Sequence, residues 1–152
     1  MIKRDIEKLL KKYAKEFRAV AVIGPRQSGK TTLVKMVFPK KTYVSLENTD
    51  ERQFASEDPR GFLNRYKKNG AIIDEAQRVP VLFNYMQQIL DETKKEGLFI
   101  LTGSNNFLLQ ESITQSLAGR IGIIDLLPLT YNEIRNIHQQ DLSTNQLLLK
   151  GS

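Results

Sequence analysis

Nine residues, Gly24-Pro25-Arg26-Gln27-Ser28-Gly29-Lys30-Thr31-Thr32, bring two glycines, a lysine and two threonines together directly after the apolar run AVAVI. The first eight fit G-x-x-x-x-G-K-[ST] position for position. Glycine adopts backbone angles that a Cβ forbids, so successive N–H groups can turn inward toward phosphate oxygens. A helix starting at the last glycine adds its free amides and the positive end of its dipole. In that setting Lys30 reaches the β- and γ-phosphates of a nucleotide, and the Thr31 hydroxyl is a ligand for Mg²⁺. All nine residues are expected at the nucleotide. Arg26, inside the loop, could touch phosphate or a neighbouring protomer, and the spacing does not choose.

The second group is Ala71-Ile72-Ile73-Asp74-Glu75, an apolar strand ending in two carboxylates. Asp74 is expected to hold Mg²⁺ through water, and Glu75 to polarise a water for attack on the γ-phosphorus. Capping of the next helix is the plain alternative for the pair; the phosphate loop is what favours catalysis. A third group is Thr102-Gly103-Ser104-Asn105. Ligands of a parallel sheet bind at the carboxyl ends of its strands, so Ser104 or Asn105 would stand beside the attacking water and sense the γ-phosphate. Either also suits as the N-cap of a helix beginning near Phe107, and the two readings are compatible. Arg120 is a candidate for stabilising transition-state charge, in cis or from a neighbouring subunit, against the plain reading of a surface arginine before a strand.

The elements that must hold these groups follow from periodicity. Ile2, Ile6, Leu9, Leu10, Tyr13 and Phe17 recur at helical spacing with lysines between them, an amphipathic helix that buries one stripe. Residues 19–23 read as a fully buried strand, 24–29 as a loop, and 30–38 as a helix stopping before Pro39. Residues 42–46 alternate and form a second strand; two short helical pieces follow, divided at Asp58-Pro59. Residues 71–73 are a third strand. Pro80 opens a helix in which Val81, Leu82, Tyr85, Met86, Ile89 and Leu90 share a face. Residues 98–101 form the fourth strand, 107–117 a helix and 121–126 the fifth strand, while Thr130 and Glu133 read as a capping box for a last helix. Five strands alternating with helices imply an α/β fold, a parallel sheet covered on both faces.

Composition narrows the class. A chain of 152 residues, 40% hydrophobic and 26% charged, is that of one soluble globular domain. No run of about 18 apolar residues is present, and the opening MIKRDIEKLLKK lacks the apolar centre of a secretory signal. The absence of cysteine excludes disulfides and thiolate metal sites and suits a reducing, cytoplasmic setting. The single histidine, His138, cannot build a metal cluster alone. The net charge of +6 favours anionic partners, whether nucleotides, nucleic acid or acidic proteins. Its excess in residues 3–15 and at Lys67-Lys68 reads first as solvated helix faces, since charge runs usually serve solubility.

GPRQSGKTTL, YVSLEN, EDPRGFL, IIDEAQRVP, ILTGSNNFLL, SLAGRI and LLPLT, in that order, resemble the prokaryotic AAA-domain ATPases that carry a C-terminal domain of unknown function. The resemblance implies an additional-strand P-loop core, a three-layer α/β/α sandwich with a five-stranded parallel sheet in the order 5-1-4-3-2. It also implies ATP as the nucleotide and Mg²⁺ as the metal, with Lys30 and Thr31 in the Walker A roles and Asp74 and Glu75 in the Walker B roles. It divides the chain into an ATPase core at 1–140, including the N-terminal helix, and the start of a C-terminal region at 141–152. Leu142, Leu147, Leu148 and Leu149 would then lack a partner domain and favour self-association as a homo-oligomer. The expected function is hydrolysis of Mg-ATP by a switch or motor for a protein or nucleic-acid partner. The alternative is a DNA- or protein-binding module with a nucleotide site of negligible turnover, motivated by the basic N-terminal helix. A small-molecule kinase is disfavoured, because Asp74-Glu75 points to water as the acceptor.

Overall fold

A strand covered on both faces carries a continuous apolar run, and AVAVI is buried at every position. It is β1 (Ala19–Ile23) in a computed structural model that describes residues 2–25, 29–104, 111, 113 and 115–126. Before it lies α1 (Ile2–Glu16). After it come α2 (Lys30–Val37), β2 (Thr42–Ser45), α3 (Thr49–Glu57), α4 (Pro59–Asn64) and β3 (Ala71–Asp74). A short 3-10 turn (Ala76–Arg78), α5 (Leu82–Thr93), β4 (Phe99–Gly103) and β5 (Ile121–Asp125) complete the order.

The strands lie as β2-β3-β4-β1-β5, every pair parallel, which is the expected 5-1-4-3-2 read from the other edge. Side chains alternate between the faces. Ala19, Ala21 and Ile23 therefore join Ile73, Phe99 and Leu101 in a core closed by Phe62 and Leu63 of α4 and Phe83, Met86 and Ile89 of α5. Val20, Val22, Ile72, Ile100 and Ile124 form the opposite core with Ile6 and Leu10 of α1 and Leu33 and Val34 of α2. Helices cover both faces, and the result is the three-layer sandwich.

Boundaries depart from the periodicity for local reasons. β4 runs on through Gly103 because Thr102 and Gly103 still pair with Val22 and Ile23, and β3 includes Asp74, which pairs with Ser45. α5 begins at Leu82, so Val81 is 39% exposed and falls off the buried face, while Phe83 joins it. The division between α3 and α4 is built from caps. Asn48 Oδ1 accepts from the Asp50 and Glu51 N–H groups at 2.9 and 3.2 Å, and Asp58 Oδ1 accepts from the Gly61 N–H at 3.0 Å, with Pro59 in the first turn. Phe17 lies beyond the end of α1 and stacks edge-on against Tyr13, the ring centroids 5.2 Å apart. Of the expected helix at 107–117, residues 111, 113, 115 and 116 are helical; the rest of it falls outside the described residues apart from Leu117, which follows the helix. Arg26, Gln27, Ser28, Asn105, the helix from Thr130, His138 and the leucines from Leu142 to Leu149 also lie outside the described residues. No helix among the described residues is long and apolar enough to cross a membrane.

Candidate functional site

At the carboxyl edge of the sheet, Asp74 ends β3 on the face that α2 covers, in one row with Val22 and Thr102. Only 5% of the residue is exposed. A carboxylate so buried needs donors, and three hydroxyls supply them. The Thr31 hydroxyl of α2 donates to Oδ1 at 3.3 Å, the Thr102 hydroxyl of β4 donates to the same oxygen, and the Tyr43 hydroxyl of β2 donates to Oδ2 at 2.5 Å. Burial, then the bond to Asp74 and its charge, push the Tyr43 phenol up to about 12, so it remains a donor at physiological pH. The Lys35 ammonium sits 3.9 Å above the Tyr43 ring and ties α2 to β2 from the outside.

The loop enters this edge from β1. The Gly24 N–H donates to the Gly103 carbonyl at 3.1 Å, which locks the loop's first residue to β4. Gly29 closes the loop at φ 82°, a left-handed angle that favours glycine, and a Cβ added there would meet nothing within 4 Å. Space is therefore open where α2 begins. Lys30, 4% exposed, folds back so that Nζ donates to the Pro25 carbonyl at 3.1 Å. A buried ammonium whose one partner among the described residues is neutral is poised to accept an anion. Thr32 faces solvent on the next position of α2.

Glu75 follows Asp74 in a left-handed conformation, φ 57° and ψ 48°, which costs a non-glycine residue about 1 kcal/mol or more. The turn is held by its N–H, which donates to the Thr102 hydroxyl at 3.3 Å. Its side chain is buried, and Oε1 accepts from Ser104 Oγ at 2.8 Å and from Gln77 Nε2 at 2.7 Å. Lys30, Thr31, Asp74, Glu75 and Ser104 are thus brought to one edge by α2, β3 and β4. Thr31 and Asp74 offer a neutral and a charged oxygen side by side, a donor set that fits a hard cation such as Mg²⁺. Among the described residues, no three His, Cys, Asp or Glu side chains converge.

Arg120 does not join them. It directly precedes β5 in a parallel sheet and so lies at the amino edge, one strand length, roughly 17 Å, from the carboxyl edge. There its Nε and Nη2 donate to the two oxygens of Asp91 at 2.7 and 3.0 Å, and Arg18 donates to the same carboxylate at 3.2 Å. The bond from Arg120 and the two arginine charges hold the Asp91 carboxyl below its usual range. Arg120 thus stands apart from the groups gathered at the carboxyl edge, paired with Asp91 on the far side of the sheet.

Four residues at or near the site carry no role in the sequence reading, although Thr102 lies within its third group. Tyr43, Thr102 and Gln77 hold the two carboxylates, as above. The fourth is Asp125, opposite Ile23 at the end of β5, 5% exposed and, among the described residues, with no partner for either carboxylate oxygen. Burial raises its pKa. The signal that could have found it is an Ile-Ile-Asp triplet, repeated from β3.

Over residues 16–135 the sequence matches the AAA domain family. An uncharacterized protein of Mycobacterium tuberculosis is 33% identical over 136 residues, which cover 87% of this chain and 30% of that protein. The chain thus spans about 30% of the length of the curated relatives it matches. Among solved structures, the Walker-type ATPase of Pyrococcus abyssi is similar with a TM-score of 0.61 at 15% identity, covering 91% of this chain and 58% of that one. A RuvB variant of Thermotoga maritima is similar with a TM-score of 0.59 at 15% identity, covering 94% and 51%. At these identities the likeness is one of fold, a parallel sheet with flanking helices.

Proposed function

The chain belongs to the AAA domain family, and from that membership and the geometry of its site we propose that it binds Mg-ATP and hydrolyses it to ADP and phosphate. The observation that carries the reading is the 3.3 Å contact between Thr31, at the start of α2, and Asp74, at the end of β3, with Glu75 next in the chain. Residues 43 apart in sequence meet where a phosphate loop needs its acidic partner.

In this reading the N–H groups from Gly29 to Thr32, with those of Arg26, Gln27 and Ser28, would cradle the phosphates, Gly24 and Pro25 shape the entry of the loop beside them, and Lys30 exchanges the Pro25 carbonyl for phosphate oxygens. Thr31 and, through water, Asp74 would hold Mg²⁺, whose charge neutralises the triphosphate. Glu75 accepts a proton from the water that attacks the γ-phosphorus. Ser104 fixes the direction of that carboxylate, and Asn105, next in the chain, would sense the γ-phosphate. Arg120 enters only from a neighbouring subunit, after giving up Asp91. The turnover would serve as a switch or motor for a partner, a protein or a nucleic acid.

Two variants test the assignment. Lys30→Ala should abolish ATP binding, whereas Glu75→Gln should bind ATP as the parent does and release phosphate at least about 100-fold more slowly. Equal loss of binding in both would overturn the roles given. A second reading, a nucleic-acid-binding module with negligible turnover, is favoured by the exposed lysines Lys8, Lys11, Lys12 and Lys15 on α1. Retention on DNA that falls steeply with salt, without phosphate release, would put it first.

A further inference from the structure

Gln77 stands two residues beyond Glu75 and touches its side chain. Its Nε2 donates to Glu75 Oε1 at 2.7 Å, the same oxygen that takes the Ser104 hydroxyl at 2.8 Å. Two donors on one oxygen fix the rotation of a carboxylate, and they do so from both sides of the site, the 3-10 turn and the end of β4. Side chains at i and i+2 do not face each other on a helix. Here they meet because Glu75 is left-handed and the tight turn that follows folds Gln77 back.

A local structural role would show as a cap. The 3-10 turn has no side-chain cap, and the Gln77 amide bonds a side-chain carboxylate instead of a backbone group. Among the described residues the other half of the same carboxamide is unsatisfied: Gln77 Oε1 is buried and finds no partner there. A buried acceptor left empty is costly, and such groups persist where a ligand or water later supplies the donor.

We infer that Gln77 is a positioning residue for hydrolysis, holding the Glu75 carboxylate by Oε1 so that Oε2 is presented to the attacking water. The inference rests on the reading of Glu75 as the group that receives the water's proton. In that step the water oxygen bonds to the γ-phosphorus, the bond to the bridging oxygen breaks, and ADP leaves. One water proton passes to Glu75. Gln77 exchanges none; its open carbonyl accepts a hydrogen bond from solvent that enters with the nucleotide.

The test compares the parent chain with Glu75→Gln, Gln77→Met and Gln77→Glu in steady-state phosphate release from Mg-ATP, with kcat and KM separated. Gln77→Met keeps the volume and removes both polar ends. It should lower kcat by about 10-fold to 100-fold while KM stays within about twofold. Gln77→Glu sets a second carboxyl against Glu75. That carboxyl can donate to Glu75 only when protonated, so kcat of this variant should fall as pH rises from the acid side, in a range where the parent is flat. Parent turnover that is lost in Glu75→Gln but fully kept in Gln77→Met overturns the inference alone. A raised KM with unchanged kcat does the same, making Gln77 a nucleotide contact. No turnover by the parent chain overturns the proposed function and this inference with it.

Discussion

Ile-Ile-Asp closes two strands, and the two aspartates meet opposite conditions. Asp74 takes hydroxyls from Thr31, Tyr43 and Thr102, while Asp125, equally buried, has no partner on either oxygen among the described residues. The alternation of side chains explains the contrast: Asp74 shares its face with Ile72 and α2, and Asp125 falls on the other face, with Ile121 and Ile123. Burial raises the Asp125 pKa above its ordinary 3.8, so folding favours the protonated carboxyl. The stabilisation is complete below about 3.8 and is lost as pH rises through the raised value. Asp125→Asn removes the charge and should raise Tm at pH 7, the gain vanishing near pH 4 and below. Thermal melts across that range check it, and a lower Tm for the variant at pH 7 would show a carboxylate already satisfied.

At the scale of elements, the phosphate loop and the acidic pair were legible because their chemistry demands particular residue types at fixed spacing. Glycine must take φ 82° at position 29, and an acid must end β3. The strand-helix alternation likewise carried the three layers. What was not legible depends on register. Tyr43 meets Asp74 because Ser45 pairs with Asp74, and Thr102 does so because β4 stands between β1 and β3. No local pattern encodes those pairings, and tyrosine and threonine are ordinary strand residues. Arg120 is the reverse case: a residue immediately before a strand of a parallel sheet belongs to its amino edge. Arg120→Ala should therefore leave turnover per molecule unchanged in a dilute, monomeric sample and lower Tm modestly, since its pair with Asp91 is largely solvated. Turnover that falls only when protein concentration permits association would bring Arg120 in from a neighbour.

Across the described residues, the carboxyl edge of the sheet gathers the candidate nucleotide groups, and at the amino edge Arg18 and Arg120 pair with Asp91 along the wall of an open pocket. The helices between them keep both faces dry, so the edges are where the sheet can meet ligands. Net charge of +6 adds attraction for any anion but selects none. In the proposed function, the loop after β1 and the acid at the end of β3 serve one metal-bound triphosphate. ATP affinity measured by calorimetry with Mg²⁺ and with a chelator, in the parent and in Asp74→Asn, tests this most directly. The parent should bind at least about tenfold more tightly with Mg²⁺, and Asp74→Asn should lose that gain while keeping its metal-free affinity. An Asp74→Asn variant that retains the full Mg²⁺ gain would contradict the shared site.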